Sequence, residues 1–564
     1  MTKTANIFPN SRVAWQTFSD EPNIQERQLV ESGILKRMRK SRELKAGDRY
    51  RPRYHFVNPE NRLNDPNGLC FWQGKWHLFY QAFPPEDERQ HWGHAVSEDL
   101  VHWRDLPYAI GPGPEDCCYS GTVMIENDRA IALYHGVGVG NMVATSHDPL
   151  LLNWDKIGDG PIIPFEKDGG VKRAYGIFDP CIWKKGDFYY ALSAGIEPYQ
   201  SEGRHLATNF LFRSSDLLDW EYLHPFVEGD RFTIPGDDGA CPYFWPIGDK
   251  YILIFFSHMS GGQYLLGEYD TENDKFHAET HGLFNFGAVF PGGVHAPTAY
   301  PDADGSVVAL FNMNPAKPTN TPDNYLRDFF GGENPKATPG KIPERTAHDW
   351  DQIMTLPRRL TVVKGNRLGI EPAGDLEALR EDHKEIGPLI LRANAEQIIS
   401  EANGDCMELF LEIQPGQSSL VELNVLRSPD GEETTRIQFF HKRGYRYRTP
   451  FENDERAHKV MSTMISDLAR AESILSIDTS RSSTLPDALC RPPEQGPVWL
   501  APQEPLSLRV FVDRSVVEVF ANGQQCLSVR VYPGLENSTG VSLVSRGVDT
   551  EVTRFDAWRM RSIY

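Results

Sequence analysis

Short apolar runs broken by pairs of turn residues dominate the chain up to about residue 312. The runs are rich in aromatic and β-branched residues, and the breaks carry Gly, Asn or Asp, which is the chemistry of tight β-hairpins. Five such hairpins recur about 54 to 62 residues apart: Phe71–Tyr80, Val123–His135, Cys181–Leu192, Tyr243–His258 and Thr298–Asn312. This spacing accommodates a four-stranded unit plus loops. The pattern predicts an all-β domain whose five units close radially into a five-bladed β-propeller, with a large β-sandwich of unrelated hairpins as the alternative.

The remaining segments predict further parts around this domain. Alternating runs from about residue 376 onward, such as Met407–Ile413 and Leu506–Phe520, are typical of a β-sandwich. Asp513 and Glu518 in the second run are expected to be solvated strand residues without a catalytic role. The segment Pro315–Arg345 is rich in Pro, Asn and Gly and predicts a long loop over a pocket mouth. We therefore expect a division into residues 1–50, 51–375 and 376–564.

The N-terminal extension contains one amphipathic pattern. Residues Asn23–Leu44 carry Ile24, Leu29, Leu35 and Met38 among charged residues, which predicts a single helix. We expect this helix to pack on the propeller; self-association into a homo-oligomer through it is the alternative.

Composition and charge narrow the range of partners and compartments. The net charge of −20 argues against nucleic acid or an anionic membrane as a partner. The N-terminal stretch lacks an apolar signal-peptide core, and no later stretch is long and apolar enough for a membrane span. The eight cysteines show no metal-binding spacing, and Cys117 and Cys118 are adjacent. Reduced thiols in a cytoplasmic protein fit best, with no metal or cofactor.

Four residues share one position, seven or eight residues before a hairpin turn: Asp65, Ser120, Asp179 and Ala240. Equivalent positions of successive blades converge on the axis of a propeller. The register therefore predicts two carboxylates and a hydroxyl in one funnel. Paired carboxylates across a pocket suit glycoside hydrolysis, in which one attacks the anomeric carbon and another group protonates the leaving oxygen.

Residues near Asp65 in the sequence suit a sugar pocket. Amides reach sugar hydroxyls and tryptophan faces stack on sugar C–H surfaces, so Gln81 and Trp92 are predicted to line the pocket. Trp92 has core packing as its alternative. Asp65 itself lies in Asn64-Asp65-Pro66-Asn67-Gly68, a chain reversal ahead of an apolar strand, which can hold a short carboxylate rigidly.

At this point the chain resembles glycoside hydrolase family 32, the family of invertases, fructanases and levanases. The motifs that carry the resemblance are Asn64–Gly68, Trp92-Gly93-His94-Ala95, Asp99–Trp103, Tyr119-Ser120-Gly121, Cys241-Pro242, His258 through Tyr269-Asp270, and Leu508–Phe520. The resemblance spans roughly residues 51 to 564. It implies a five-bladed propeller followed by a β-sandwich, and retention of configuration at a fructofuranosyl centre. It also implies that Asp65 is the nucleophile and that Asp179 holds the fructose 3- and 4-hydroxyls in the transition state.

The sequence departs from the family pattern in three places. The usual Glu-Cys-Pro acid/base motif reads Ala240-Cys241-Pro242, Phe178 replaces the arginine that normally precedes Asp179, and about fifty residues precede the first motif. Two origins of Ala240 remain open. Either an acid/base glutamate has been replaced, which we prefer because Cys241-Pro242 is intact, or the chain is a natural variant whose proton comes from elsewhere, with Asp238 on the same face if the segment is extended.

The expected function is β-fructofuranosidase-type double displacement on sucrose or fructo-oligosaccharides, in a form whose acid/base position carries alanine. Besides Asp65, Asp179 and position 240, the residues predicted to contact substrate are Asn64, Gln81, Trp92, Tyr119, Ser120, Phe178 and Asp238. The alternatives are a fructosyltransferase, including one that forms difructose anhydride, and a sugar-binding propeller without activity. A related arabinofuranosidase is disfavoured by Leu508–Phe520.

Overall fold

The computed structural model divides into two compact units. The first comprises Met1–Asn285, Val289–Leu376 and Ser562–Tyr564, and the second comprises Phe286–Ala288 and Glu377–Arg561. The residues that the structure describes are 8, 10–164, 175–199, 204–228, 230, 232–233, 237–258, 260–287, 292–316, 350–363, 366–444, 472–501 and 503–564. Nearly all of the predicted loop Pro315–Arg345 lies outside them. The described residues before residue 51 cluster with the first unit.

The described residues of the first unit form five sheets whose neighbouring strands are antiparallel, apart from one short parallel pair in the fourth sheet. Sheet 1 contains β1 (Leu63–Trp72), β2 (Lys75–Ala82), β3 (His91–Ser97) and β4 (Arg104–Ile110). Sheet 2 contains β5 (Cys118–Glu126), β6 (Arg129–Gly136), β7 (Gly140–Ser146), β8 (Asp155–Lys156) and β9 (Ile163–Pro164). Sheet 3 contains β10 (Pro180–Lys185), β11 (Phe188–Tyr199), β12 (Arg204–Ser214) and β13 (Glu221–Pro225). Sheet 4 contains β14 (Val227–Glu228), β15 (Ala240–Ile247), β16 (Lys250–Ser257), β17 (Gly261–Asp270) and β18 (Lys275–Leu283). Sheet 5 contains β19 (Val294–Pro301), β20 (Val307–Met313), β21 (Ile353–Met354), β22 (Arg358–Val363) and β23 (Arg367–Pro372).

The strands β1, β5, β10, β15 and β19 contact one another in cyclic order, so that the fifth sheet returns to the first. Side-chain hydroxyls supply hydrogen bonds where these strands meet. Thr298 Oγ1 accepts from the backbone N–H of Leu69 at 2.9 Å, and Thr122 Oγ1 accepts from that of Ile182 at 3.0 Å. A hydroxyl can serve a backbone N–H that has no ladder partner because the strands splay apart there. These contacts close the ring at its inner edge.

Apolar side chains fill the spaces between successive sheets. Phe79 and Trp92 of sheet 1 pack with Tyr134 of sheet 2, and Ile131 of sheet 2 packs with Ile182 of sheet 3. Both faces of these sheets are therefore covered, which is why β2, β3 and β7 are buried along almost their entire length instead of at every second residue.

Two α-helices occur in the described residues, where the sequence predicted one. They are α1 (Pro22–Glu31) and α2 (Gly33–Lys45). Ser32 separates them with ψ of 124°, outside the helical range, and its Oγ accepts from the N–H of Leu35 at 3.4 Å. Leu29 packs in an apolar cluster with Phe18, Val96 and Leu106, so α1 lies on the first unit as expected. No described helix is long and apolar enough to cross a membrane.

A largely buried arginine fastens α2 to the sheets. The guanidinium of Arg42 donates to both carboxylate oxygens of Asp105, at 2.5 and 2.6 Å, and to the carbonyl of Val57 at 3.0 Å. It also lies 3.8 Å from the ring centroid of Tyr564. Burial by itself would lower the pKa of Arg42, but the charge of Asp105 outweighs it and raises the pKa. The extension is thus held by a paired, desolvated charge.

The second unit consists of two sheets and the apolar core that their side chains share. The first sheet contains β24 (Arg380–Glu385), β25 (Leu389–Leu391), β27 (Cys406–Gln414), β32 (Leu506–Asp513), β33 (Val516–Ala521), β34 (Gln525–Arg530) and β36 (Thr550–Met560). The second contains β26 (Glu396–Asn403), β28 (Leu420–Arg427), β29 (Thr435–Gly444), β30 (Glu472–Asp478), β31 (Glu494–Val498) and β35 (Gly540–Arg546). A short 3₁₀ helix, Leu376–Leu379, precedes them. Asp513 and Glu518 are buried, so the expectation that they are solvated was wrong; Glu518 accepts from Ser528 Oγ at 2.5 Å. The all-β prediction is confirmed.

Replacing Arg42 with alanine should destabilise the first unit by about 3 kcal/mol, because Asp105 would keep its buried charge without its partner. Urea unfolding followed by tryptophan fluorescence measures this change. The exposed Lys40→Ala on the same helix is the matched control and should change stability by less than about 0.5 kcal/mol. Equal stabilities of the two variants would contradict the fastening role of Arg42.

Candidate active site

Polar side chains from several sheets meet where the inner strands begin. Asp65 of β1 accepts a hydrogen bond from Ser120 Oγ of β5 at 2.6 Å. Cys241 of β15 connects Asp65 to Asp179, since its Sγ lies 3.7 Å from Asp65 Oδ2 and 3.3 Å from Asp179 Oδ2. The register therefore predicted correctly that Asp65, Ser120 and Asp179 come together.

Irregular backbone at the strand starts aims these side chains into the ring. The pairing register shifts around Pro66 in β1, between Cys118 and Gly121 in β5, and between Ala240 and Tyr243 in β15. Such bulges bend a strand and re-aim a side chain. Cys241 has a φ of +49°, unusual for a residue with a side chain, which places both its thiol and its N–H toward Asp179.

The chain reversal expected at Asn64–Gly68 is instead an irregular part of strand β1, and it requires one glycine. Gly68 has a φ of +46°, and a Cβ on it would lie 2.5 Å from a methyl carbon of Val123. Its N–H donates to the hydroxyl of Tyr243 at 3.1 Å, and that hydroxyl donates to the carbonyl of Gly121 at 3.0 Å. One buried tyrosine therefore links the strands that carry Asp65 and Ser120.

Asp65 is held in its ionised form by several donors. Ser120 and Gln81 both donate to Oδ2, at 2.6 and 3.2 Å, while Nδ1 of His295 lies 3.3 Å from Oδ1. Burial would raise the pKa of Asp65, but His295 and Ser120 outweigh it and hold the pKa below its usual range. Within the described residues Oδ1 accepts no hydrogen bond of good geometry. A carboxylate oxygen held in this way is suited to nucleophilic attack.

Asp179 has the opposite electrostatic setting. Its Oδ2 accepts from the N–H of Cys241 at 3.1 Å and from its thiol at 3.3 Å. Burial, followed by the negative charge of Asp65, raises the pKa of Asp179 to about 7. In the described residues no lysine or arginine lies within ion-pair distance of Asp179, and Phe178 occupies the preceding position. The two carboxyl groups thus differ in the form that neutral pH favours.

A chain of amides continues from Asp65 along one side of the site. Gln81 donates to Ser120 at 2.8 Å as well as to Asp65, and Asn64 donates to Gln81 at 3.0 Å. Gln352 in turn donates to Asn64 at 3.0 Å, and Asn312 donates to Gln352 at 2.5 Å. These bonds fix the orientation of the amide that faces Asp65.

Sequence reasoning missed His295, Asn312 and Gln352. His295 had a signal, because Ala296-Pro297 occupies the position before the fifth hairpin that Asp65-Pro66 occupies before the first. Gln352 had none, since it lies 288 residues from Asn64 in the sequence.

Trp92 does not line the pocket, contrary to the prediction. It is 0 % exposed, its indole N–H donates to the carbonyl of Tyr119 at 2.9 Å, and its ring packs against Phe79 and Tyr134. It is a core residue because β3 is covered on both faces. Tyr119 is partly exposed, and the charges of Asp65 and Asp179 add to burial in raising the pKa of its hydroxyl.

Ala240 and Asp238 are separated in the chain only by Gly239, but their side chains face different surroundings. Ala240 is 1 % exposed and packs in a small apolar cluster with Cys241, Phe256 and Ala296, against which Phe178 also packs. Asp238 pairs instead with His258, whose Nδ1 lies 2.5 Å from its Oδ2. The segment is not extended as the sequence argument assumed, because Gly239 has a φ of +62°.

The described residues contain no group of three or more His, Cys, Asp or Glu side chains arranged to hold a metal ion. The side chains of the site supply one ionised carboxylate, a second carboxyl group of raised pKa, a thiol and a set of amide and imidazole groups. Glycoside hydrolases use a pair of carboxyl groups in one polar site of this kind.

Comparison with known proteins identifies the family. The family model "Glycosyl hydrolases family 32 N-terminal domain" matches residues 55–372, and "Glycosyl hydrolases family 32 C terminal" matches residues 375–559. The chain therefore belongs to glycosyl hydrolases family 32, as the sequence motifs indicated.

Curated relatives and solved structures are similar over most of their length. The chain is 26 % identical over 534 residues to sucrose-6-phosphate hydrolase of Escherichia coli, with 89 % of this chain and 94 % of that protein covered. It is 26 % identical over 592 residues to fructan 6-exohydrolase of Beta vulgaris, covering 91 % and 87 %. The crystal structure of fructan 1-exohydrolase IIa from Cichorium intybus matches with a TM-score of 0.72 at 20 % identity, covering 91 % of this chain and 98 % of that one, which shows a shared fold.

The raised pKa of Asp179 should make stability depend on pH. The folded state keeps a proton on Asp179 between the ordinary value of 3.8 and about 7, so this contribution is complete below 3.8 and is lost as pH rises through 7. Asparagine does not titrate, so the stability of Asp179→Asn does not fall as this proton is lost. The free energy of unfolding of the variant relative to the parent should therefore rise between pH 3.8 and 7 by up to about 4 kcal/mol.

Urea unfolding at pH 4, 5, 6, 7 and 8 measures this relative stability. The exposed Asp187→Asn is the matched control, and its difference from the parent should stay below about 0.5 kcal/mol at every pH. A constant difference for Asp179→Asn between pH 5 and 8 would show that Asp179 is ionised throughout.

Proposed function

We propose that the protein is a retaining β-fructofuranosidase-type enzyme that acts on sucrose or fructo-oligosaccharides by double displacement. The observation that carries this proposal is the pairing of Asp65 and Asp179 through Cys241 in one polar funnel. The relatives support it, because their names specify sucrose-6-phosphate hydrolase, fructan exohydrolase and levanase activities. A variant of the Cichorium intybus enzyme whose structure is similar contains 1-kestose.

The proposed architecture explains why catalytic side chains from several sheets lie close together. We take the five sheets of the first unit as the blades of a five-bladed propeller, because their inner strands contact one another in a closed order. Each blade then contributes the start of its first strand to the same axial pocket. The second unit, with two sheets around one core, corresponds to the β-sandwich.

Asp65 is proposed as the nucleophile. Its depressed pKa keeps it ionised, and the hydrogen bonds of Ser120 and Gln81 to Oδ2 leave Oδ1 to attack the anomeric carbon. The attack forms a fructosyl ester on Asp65, and water or a sugar hydroxyl then releases the fructosyl group with overall retention.

Asp179 is proposed to hold the ring hydroxyls of the fructosyl group. Hydrogen bonds from two hydroxyls would replace part of its missing solvation and strengthen as positive charge develops on the sugar ring. Since its pKa is near 7 without ligand, binding should favour its ionised form. Asn64, Tyr119 and Phe178, all partly exposed beside these groups, are the proposed sugar contacts.

Position 240 lacks the acid that a glutamate would supply. The two origins considered from the sequence were a replaced glutamate and a natural alanine. The packing of Ala240 against Phe256 and Ala296 supports the natural alanine, because the side chain at this position faces a small apolar cluster.

A fructosyltransferase is the second candidate within the same chemistry. It would form the same ester on Asp65 and differ only in the acceptor. Chromatography of the products at high sucrose concentration separates the two, since a hydrolase releases fructose and a transferase makes oligosaccharide or difructose anhydride.

Asp65→Asn should abolish formation of the fructosyl-enzyme while leaving the fold intact. β-Fructofuranosyl fluoride is the substrate of choice, because fluoride leaves without protonation. Mass spectrometry of the acid-quenched protein detects the ester. The exposed Asp128→Asn is the control and should form the ester at the parental rate. Ester formation at that rate by Asp65→Asn would reject Asp65 as the nucleophile.

A further inference from the structure

The hairpin of β15 and β16 continues beyond its last ladder pair toward the candidate active site. Ala240 pairs with Phe256 in the ladder, and Asp238 and His258 lie two residues further on each side. Asp238 accepts from the N–H of His258 at 3.2 Å through Oδ1, and its Oδ2 lies 2.5 Å from Nδ1 of the ring. One carboxylate therefore fixes both the backbone and the ring of His258.

His258 lies beside the residues that surround Asp65. Its ring centroid is 6.0 Å from that of His295, which is itself the imidazole 3.3 Å from Asp65. The ring of Phe256 packs against both, with centroid distances of 5.0 Å to His258 and 4.0 Å to His295. The side chain of His258 is 18 % exposed, and it lies close enough to Asp65 and Asp179 for their charges to act on it.

The charges around His258 favour its protonated form. Burial would lower its pKa, but the hydrogen bond and charge of Asp238, followed by the charges of Asp65 and Asp179, raise it above the usual value. His295 of β19 is the further titratable group that faces it. An imidazolium at this place balances the carboxylates of Asp238 and Asp65, whereas a glutamate at position 240 would add a further negative charge.

We propose that His258, oriented by Asp238, is the proton donor of the reaction in place of an acid at position 240. This inference rests on the proposed fructosyl transfer to Asp65. A histidine whose Nδ1 faces a carboxylate presents Nε2 as its other proton-carrying atom, and such pairs are effective general acids and bases near neutral pH.

The proposed step balances as follows. Oδ1 of Asp65 bonds to the anomeric carbon while the bond to the glycosidic oxygen breaks; that oxygen keeps the electron pair and takes the proton from Nε2 of His258. The sugar leaves as a neutral alcohol, and the imidazole becomes neutral. In the second step the water oxygen bonds to the anomeric carbon while the bond from that carbon to Oδ1 of Asp65 breaks, and the imidazole takes the proton of the water. Fructose leaves, Asp65 regains its carboxylate and His258 regains its charge.

The test compares two substrates that differ in their need for a proton. His258→Gln should lower kcat for sucrose or 1-kestose by about 10²–10⁴-fold, whereas ester formation from β-fructofuranosyl fluoride should fall less than about tenfold. It should also remove the alkaline limb of the pH–rate profile for sucrose. Asp238→Asn should move that limb to lower pH, since the charge that raises the pKa of His258 is lost. His102→Gln, on an exposed histidine paired with Asp99, is the matched control and should behave as the parent.

Several outcomes would overturn the proposal. An equal loss on both substrates would make His258 a structural residue, and an unchanged sucrose profile would exclude it as the acid. A parent enzyme that reacts with the fluoride but not with sucrose or 1-kestose would have no working acid at all. If Ala240→Glu accelerated sucrose turnover by the same factor in the parent and in the His258→Gln variant, position 240 would be the acid site. Failure of the proposed function is distinct from these results, because the parent would then form no ester from the fluoride.

Discussion

The burial of two carboxyl groups beside one thiol is the constraint on which the rest of the site depends. Asp65 and Asp179 both contact Cys241 and repel each other in a setting that water barely reaches. The protein separates their behaviour by giving Asp65 donors from Ser120, Gln81 and His295, while Asp179 receives donors from Cys241 alone among the described residues. Because those donors come from different sheets, the site requires the ring of inner strands to be closed.

Positions in the hairpin register could be predicted from the sequence, because equivalent turns leave equivalent residues at the axis. Asp65, Ser120 and Asp179 were placed together on this ground. The sequence could not decide whether Trp92 lines the pocket or packs in the core. A strand that is covered on both faces is apolar along its whole length, so it lacks the alternation of polar and apolar residues that would distinguish the two. Ser32 followed by Gly33 is a local signal for the break between α1 and α2. The apolar periodicity continues across this break, however, and therefore predicted a single helix.

The polar residues that complete the site are mostly beyond sequence reasoning. Gln352 and Asn312 become neighbours of Asn64 only after the fifth sheet returns to the first. The pairing of Asp238 with His258 follows from a positive φ at Gly239, which turns the carboxylate away from the face that an extended strand would give it. Glycine is the residue type that favours a positive φ, but which partner the turned carboxylate then meets is set by the pairing of β15 with β16.

The hydrogen bond between Leu69 and Thr298 joins residues 229 positions apart. Asp65 lies in β1, whereas the strand that secures β1, β19, is the first strand of the fifth sheet. Long-range closure of this kind is slow and exposes unpaired strand edges while it is pending. An incompletely folded chain should therefore have no catalytic activity. Competence should arise in a single late event, and chaperones that shield the edge of β1 would govern the yield of active protein more than the stability of any one sheet.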